Sequence, residues 1–351
     1  KLFAPFWESW DIIHNQYVDQ PVDDLKLMQG AIRGMINALG DEHSGYMDPE
    51  EFKQANMPLE GSYTGIGAWV DTTGDYLTII SPMPGSPAEE AGLLPGDEII
   101  AIDGEDVTSV DPSIVLQSVL GPEGTTVVLK IYRPDTAETL EFSIVREKIE
   151  IPSIESKMLD NNIAYIYLST FGESTTKDLK QALDELLAQD PVGLILDLRN
   201  NTGGYLDTAI EVVSQFIPDG VVMIEKLGTG EEITYEAIPG GKATEIPLVV
   251  LVNGGSASAS EITAGAIQDR GRGVLVGTTT YGKGSVQNWV ALDNNQGAVR
   301  VTVARWLTPN GRLIHKVGLT PDYVVEFTEQ DVAEGNDVQL QKAIEILLNE
   351  K

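Results

Sequence analysis

The residues best placed for chemistry are serines at the mouth of a helix and one lysine at the end of the next strand. Asn253-Gly254-Gly255-Ser256-Ala257-Ser258-Ala259-Ser260-Glu261 marks the turn from an apolar strand at 247–252 into a helix at 258–270. The first N–H groups of a helix have no intrahelical partner and carry partial positive charge, so they can stabilise an oxyanion. Ser258-Ala259-Ser260-Glu261 is equally a capping box, which needs no chemistry. Lys283 shifts that balance. It lies between Gly282 and Gly284, after the apolar Val274-Leu275-Val276 and before a strand through Val286 and Trp289. Desolvation between strands disfavours an ammonium. From about 10.4, its pKa must fall by roughly 3 units to give a base near neutrality. A neutral lysine amine can then take the serine proton. Gln287 follows Lys283 at an even offset, the same face of a strand, where an amide can hold the amine without adding charge.

Other chemistries fit less well. There is no cysteine, which removes thiolate catalysis, disulfides and Cys-ligated zinc. Of the three histidines, His14 falls in a helix and His43 in a turn, both structural settings, and His315 is the remaining candidate for a Ser–His pair. Gly277-Thr278-Thr279-Thr280-Tyr281-Gly282-Lys283 imitates a phosphate loop. Gly284 stands where Ser or Thr belongs, and a strand follows instead of a helix, so nucleotide binding is set aside. A third site is Leu196-Asp197-Leu198-Arg199-Asn200-Asn201-Thr202-Gly203-Gly204, where a buried strand ends in a glycine turn. Ligands of α/β sheets sit beyond such strand ends, and the turn could offer N–H groups to an oxyanion.

These sites need elements to position them. The chain of 351 residues is long enough for two or three domains. Its 54 acidic against 23 basic residues give a net charge of −31, which favours solubility and repels nucleic acid. No apolar run is long enough to cross a bilayer. Residues 1–60 read as helical, with Phe6, Trp10, Ile13 and Tyr17, then Met28, Ile32, Met35 and Ile36, at helical spacing, and a short third helix opening at Pro49. Such an apolar arm is usually core or an oligomer contact. Residues 61–148 change to short strands and Gly/Pro turns, with a helix at 113–120. From about 149 strands and helices alternate to near 325, the pattern of an α/β core with a largely parallel sheet. A helical tail occupies 326–351. The chain begins at Lys1, so a leader or membrane anchor removed in maturation is a further expectation.

The quoted motifs resemble those of the C-terminal processing, or tail-specific, serine peptidases over nearly the whole chain. The matching residues are Asn253 with Ser256 to Glu261, Gly282-Lys283-Gly284 with Gln287, Asp197 to Gly204, the Gly40-Asp41-Glu42-His43-Ser44 turn and Gly318-Leu319-Thr320-Pro321-Asp322. The resemblance implies a crotonase-like α/β peptidase core with an inserted PDZ domain and an N-terminal helical arm. Its serine-to-lysine spacing selects Ser258 over Ser256 and Ser260. It implies a Ser258–Lys283 dyad supported by Gln287, and an oxyanion hole from the N–H groups of Ala259 and the Gly203–Gly204 turn. No metal or organic cofactor is implied. Thr202 stands where the family often has Pro, which loosens that turn. In the 61–148 module, Gly65-Ile66-Gly67 would capture the carboxylate of an apolar protein tail, residues 68–70 would pair with it, and the helix at 113–120 would wall the groove. Also implied is a location outside the cytoplasm, in the periplasm or cell envelope. A second reading is an active protease held in a resting state, with the PDZ module swung over the cleft and released by a tail peptide. A homodimer fits the apolar helices at both ends; an activating partner stays open. The alternative is a catalytically silent PDZ scaffold, against which the intact Ser258, Lys283 and Gln287 weigh.

Overall fold

The computed structural model describes residues 1–349; Glu350 and Lys351, the end of the expected tail, lie outside them. The catalytic segments are arranged by a six-stranded sheet. Its order is Ile154–Leu159, Ile163–Leu168, Gly193–Asp197, Leu248–Val252, Val274–Gly277 and Tyr323–Val324, parallel throughout except for the first strand. The strands are apolar on both faces because both faces are covered. Leu194, Leu196, Val250 and Val252 point to the side where Thr175–Leu187, Leu206–Val213 and Ala259–Asp269 pack. Ile195, Val249 and Leu251 point to the other, against Ala343, Ile346 and Leu347 of Val338–Asn349. Each such side chain contributes roughly 1.5–3 kcal/mol by leaving water. Val338–Asn349, the helix expected in the tail, therefore closes one face of the α/β core.

A second sheet stands beside the first. Gly45–Met47, Ala298–Leu307, Val221–Leu227 and Glu232–Glu236 follow in that order, and Ser285–Ala291 pairs with the other edge of Ala298–Leu307. The Val221–Leu227 and Glu232–Glu236 hairpin has no counterpart in the sequence reading. Glu225, Lys226, Glu231 and Glu232 mask its alternation.

The arm folds as three helices, Ala4–Gln16, Asp24–Asn37 and Pro49–Glu60. Asp23 caps the second by accepting from the Lys26 N–H at 3.0 Å. Asp48 and Glu51 form a capping box on the third, and Pro49 takes its first turn, where no N–H is required. Helical spacing did not make a core here. Ala4–Gln16 buries none of its residues, and Phe3 and Trp7 are about 60% exposed, at 61% and 59%.

The module between arm and core has its own sheet and its own core of Leu77, Ile79, Ile99, Val127, Leu129 and Ile131. Its two connections to the rest of the chain pair as a ribbon, Ser62–Gly65 with Glu147–Glu150. Pro112–Val119 is the helix expected at 113–120, and Arg146 donates to the Ser118 and Val119 carbonyls at its end.

Candidate active site

Ser258 precedes the first turn of Ala259–Asp269, in a backbone conformation with φ 56° and ψ −115°. A residue with a Cβ rarely adopts positive φ, and it persists only where neighbours enforce it. The enforcement is visible on both sides of the serine. Ser256 donates its hydroxyl to the Leu198 carbonyl and Ser260 to the Asn201 carbonyl, each at 2.8 Å. The Ala257 N–H donates to the Asn201 carbonyl at 3.0 Å. The two flanking serines are thus fully buried fasteners, while Ser258 lines a cavity of about 650 Å³.

Glu261 holds the other side. Its buried carboxylate accepts from the Ser258 N–H at 3.0 Å, the Gly282 N–H at 2.7 Å, the Lys283 N–H at 2.8 Å and the Thr280 hydroxyl at 2.5 Å. Burial pushes its pKa up, and these four donors pull it down. A group that reads from sequence as a helix cap is also a clamp joining the serine's backbone to the lysine's. A capping box describes four consecutive residues; its bonds to Thr280, Gly282 and Lys283 span about twenty positions and leave no local pattern.

Lys283 lines the same cavity. Its pKa is lowered, first by burial and then by Arg300, with Glu261 opposing. Arg300 stacks over Trp289, 5.8 Å from its ring centre. Among the hydrogen bonds of the described residues there is none between the Ser258 hydroxyl and the Lys283 amine. Such pairs commonly tighten only when substrate is bound. Gln287 shares the cavity and donates its amide to the Ser285 hydroxyl at 2.8 Å and the Thr302 hydroxyl at 3.2 Å. The lining contains no histidine. His315 instead meets His43 edge to face at 6.2 Å. Burial and the charge of Lys283 lower the pKa of His43.

The glycine turn lies against the serine. A Cβ on Gly203 would come within 2.8 Å of the Ser258 Cβ, and one on Gly204 within 2.2 Å of the Phe171 carbonyl oxygen. Gly203 donates its N–H to Asn201 Oδ1 at 2.8 Å, so that amide is already engaged. The turn is anchored below by Asp197, which accepts from Tyr165 at 2.8 Å and from Arg199, itself bonded to Asp337. The far wall comes from the arm: Phe52, Ala55 and Leu59 of Pro49–Glu60 line the cavity. The sequence reading gave this helix no part in the site, although the spacing of the three residues puts them on one face.

In the module, Gly65 ends the ribbon strand, and Ile66 and Gly67 follow it directly. Gly67 has φ 76°, and a Cβ there would sit 2.4 Å from the Ser86 Cβ. The Ile66 side chain is buried, and its carbonyl accepts from the Ala88 N–H at 2.8 Å.

A serine and a lysine thus share one cavity beside a glycine turn on an α/β core, an arrangement that serine-type peptidase chemistry can use. Residues 162–325 match peptidase family S41, residues 78–133 a PDZ domain, and residues 3–51 the N-terminal domain of the activating protease CtpB. The chain is 36% identical over 354 residues to the carboxy-terminal processing protease CtpB of Bacillus subtilis, covering 99% of this chain and 72% of that protein. It is 38% identical to a carboxy-terminal-processing protease of Bartonella bacilliformis, covering 97% and 79%. A solved photosystem II D1 C-terminal processing protease shares its fold, with a TM-score of 0.55 and 30% identity over 92% of both chains. This chain belongs to the carboxy-terminal processing proteases of family S41.

Proposed function

We propose that the enzyme binds the C-terminal tail of a protein in its PDZ module and cuts the chain upstream with a Ser258–Lys283 dyad. The observation that carries this is the shared cavity with its common clamp: Ser258 and Lys283 both face it, and Glu261 holds the backbone N–H of each. Neutral Lys283 takes the Ser258 proton as the hydroxyl oxygen attacks the peptide carbonyl. The resulting ammonium returns that proton to the leaving amine, and water then hydrolyses the acyl-enzyme. Gly204 and Ala259 supply the oxyanion N–H groups, since Gly203's is spent on Asn201. Gln287 supports the lysine. Gly65-Ile66-Gly67 captures the tail carboxylate, with an apolar tail alongside residues 68–70 and the groove helix, where Ile114 is 60% exposed.

The test is digestion of an unfolded protein substrate. Ser258→Ala and Lys283→Ala should each lose about 10³-fold or more in kcat. Lys283→Arg should be equally inert, because a guanidinium stays protonated. Full activity in either alanine variant rejects the dyad.

Three further parts rest on this reading. The unengaged Ser258–Lys283 pair and the ribbon-tethered module support a resting enzyme released when a tail occupies the PDZ groove. Unchanged turnover of a small substrate on adding a tail peptide would reject that. The exposed apolar face of Ala4–Gln16 supports a homodimer, which sedimentation at low micromolar concentration decides. A periplasmic or envelope location follows from the family resemblance, and fractionation of cells checks it.

A further inference from the structure

Glu261 fixes one end of the Lys283 main chain, its N–H. The other end, the carbonyl, is taken by a side chain to which the dyad reading assigns nothing. Trp306 Nε1 donates to the Lys283 carbonyl at 3.0 Å. The main-chain N–H of the same tryptophan donates to the next carbonyl, that of Gly284, at 3.2 Å. One residue of Ala298–Leu307 therefore grips consecutive carbonyls at the lysine. An indole N–H can only donate, and a buried one has to find an acceptor. Here the acceptor belongs to the proposed base.

The lysine needs such a grip. Gly282 and Gly284 flank it, and glycine stiffens a backbone less than any other residue. Close packing requires both: a Cβ on Gly282 would lie 2.9 Å from the Gly318 nitrogen, and one on Gly284 would lie 2.8 Å from the His315 nitrogen. The lysine side chain is itself a flexible stem. Trp306 is the opposite. It is only 1% exposed and belongs to the main apolar core with Ile262, Ile314 and Leu319. Ile262 stands one turn after Ser258, on Ala259–Asp269, and both Ile262 and Trp306 line the cavity. The indole thus carries the rigidity of the core beneath the serine's helix to the carbonyl of the lysine.

We infer that Trp306 is a positioning residue: its indole N–H fixes the peptide carbonyl of Lys283, and through it the place of the lysine amine in the cavity. The inference rests on the proposed Ser258–Lys283 mechanism, and the experiment separates the two. Trp306→benzothienylalanine keeps the shape of the ring and puts sulfur in place of the N–H. It is assayed with Trp306→Phe on a short peptide without a tail, alongside Ser258→Ala and Lys283→Ala, and thermal melting checks each fold. Trp306→benzothienylalanine should lower kcat about tenfold, the rate equivalent of one hydrogen bond. It should also move the rising limb of kcat/KM to higher pH. A lysine released from its place gains water, and burial is the first cause of its lowered pKa. The ionisable groups coupled to it, Arg300, Glu261 and His43, are left as they are. A mere loss of folded enzyme lowers the rate at every pH and leaves the limb where it was. If Trp306→benzothienylalanine does not fold, Trp306→Phe carries the same test. Wild-type kcat in the folded variant, or a lowered kcat with an unmoved limb, overturns the role of Trp306. Activity in Ser258→Ala or Lys283→Ala would overturn the dyad instead.

Discussion

On our reading the Gly203–Gly204 turn offers a main-chain N–H to the oxyanion of the cut peptide bond and the Gly65-Ile66-Gly67 loop offers N–H groups to a tail carboxylate, yet they are held in different ways. The first is fastened on every side. Asn201 Oδ1 takes the Gly203 N–H, the Gly203 carbonyl takes the Phe171 N–H at 3.0 Å, and Phe171 is fully buried. The second is rigid within its module, but the module meets the core through one two-stranded ribbon. The difference follows from the work. Transition-state stabilisation requires donors already in place, because reorganisation during the reaction costs rate. Capture of a flexible tail tolerates movement and gains reach from it.

Substitutions at the two sites should therefore fail differently. Gly204→Ala puts a methyl 2.2 Å from the Phe171 oxygen in a backbone with φ 153°. It should cost about 10²-fold in kcat on any substrate, read by steady-state kinetics, and lower the melting temperature. Equal kcat would mean the turn does not face the reacting carbonyl. Gly67→Ala, whose methyl would meet the Ser86 Cβ at 2.4 Å, should weaken binding of a tail peptide about tenfold, measured by calorimetry, and spare turnover of a short tail-less peptide. Loss of both would show that the module is not separable from the chemistry.

Smaller effects sharpen the contrast through pH. On the dyad reading only neutral Lys283 is active, so kcat/KM should rise with pH through its lowered pKa. Arg300 helps to lower that pKa, so Arg300→Gln should move the rising limb to higher pH, while tail binding by the module keeps its pH dependence. A limb that stays in place would remove Arg300 from the account. The smallest effect concerns Asp41, held at about 2 from an ordinary 3.8 by Ser44, Thr302 and the His43 N–H. A depressed carboxylate stabilises the fold above its unfolded pKa and stops doing so as pH falls through the folded one. Acid unfolding of Asp41→Asn should thus be flatter between about pH 4 and 2 than that of wild type, by circular dichroism.

The parts of the site legible in the sequence are those that lie on consecutive elements. Ser258, Lys283 and Gln287 sit at strand and helix ends whose apolar runs announce themselves, and the strand–helix alternation of the core was readable for the same reason. Side-chain bonds across long separations were not. Glu261 showed only its local half, and the link from Ser44 to Thr302 crosses 258 positions. Gly203 illustrates a subtler limit. Two glycines suggested two free amides, but the rotamer of Asn201 decides that one is taken. The Pro49–Glu60 helix was foreseen as a helix and missed as a wall, because periodicity identifies an apolar face without saying what it meets. The same gap left Ala4–Gln16 readable as core or as an oligomer contact, and within this chain it buries none of its residues.

The ribbon has one more consequence. Because Ser62–Gly65 and Glu147–Glu150 are neighbours in register, with Tyr63 opposite Ile149, the core's chain leaves and returns at a single point. Everything between is a cassette: its removal would leave two ends that a tight turn can join, and its replacement by another peptide reader would leave the hydrolytic machinery's own scaffold intact. On the proposed reading, the choice of what is cut and the means of cutting it are separable in this polypeptide at the level of plain connectivity.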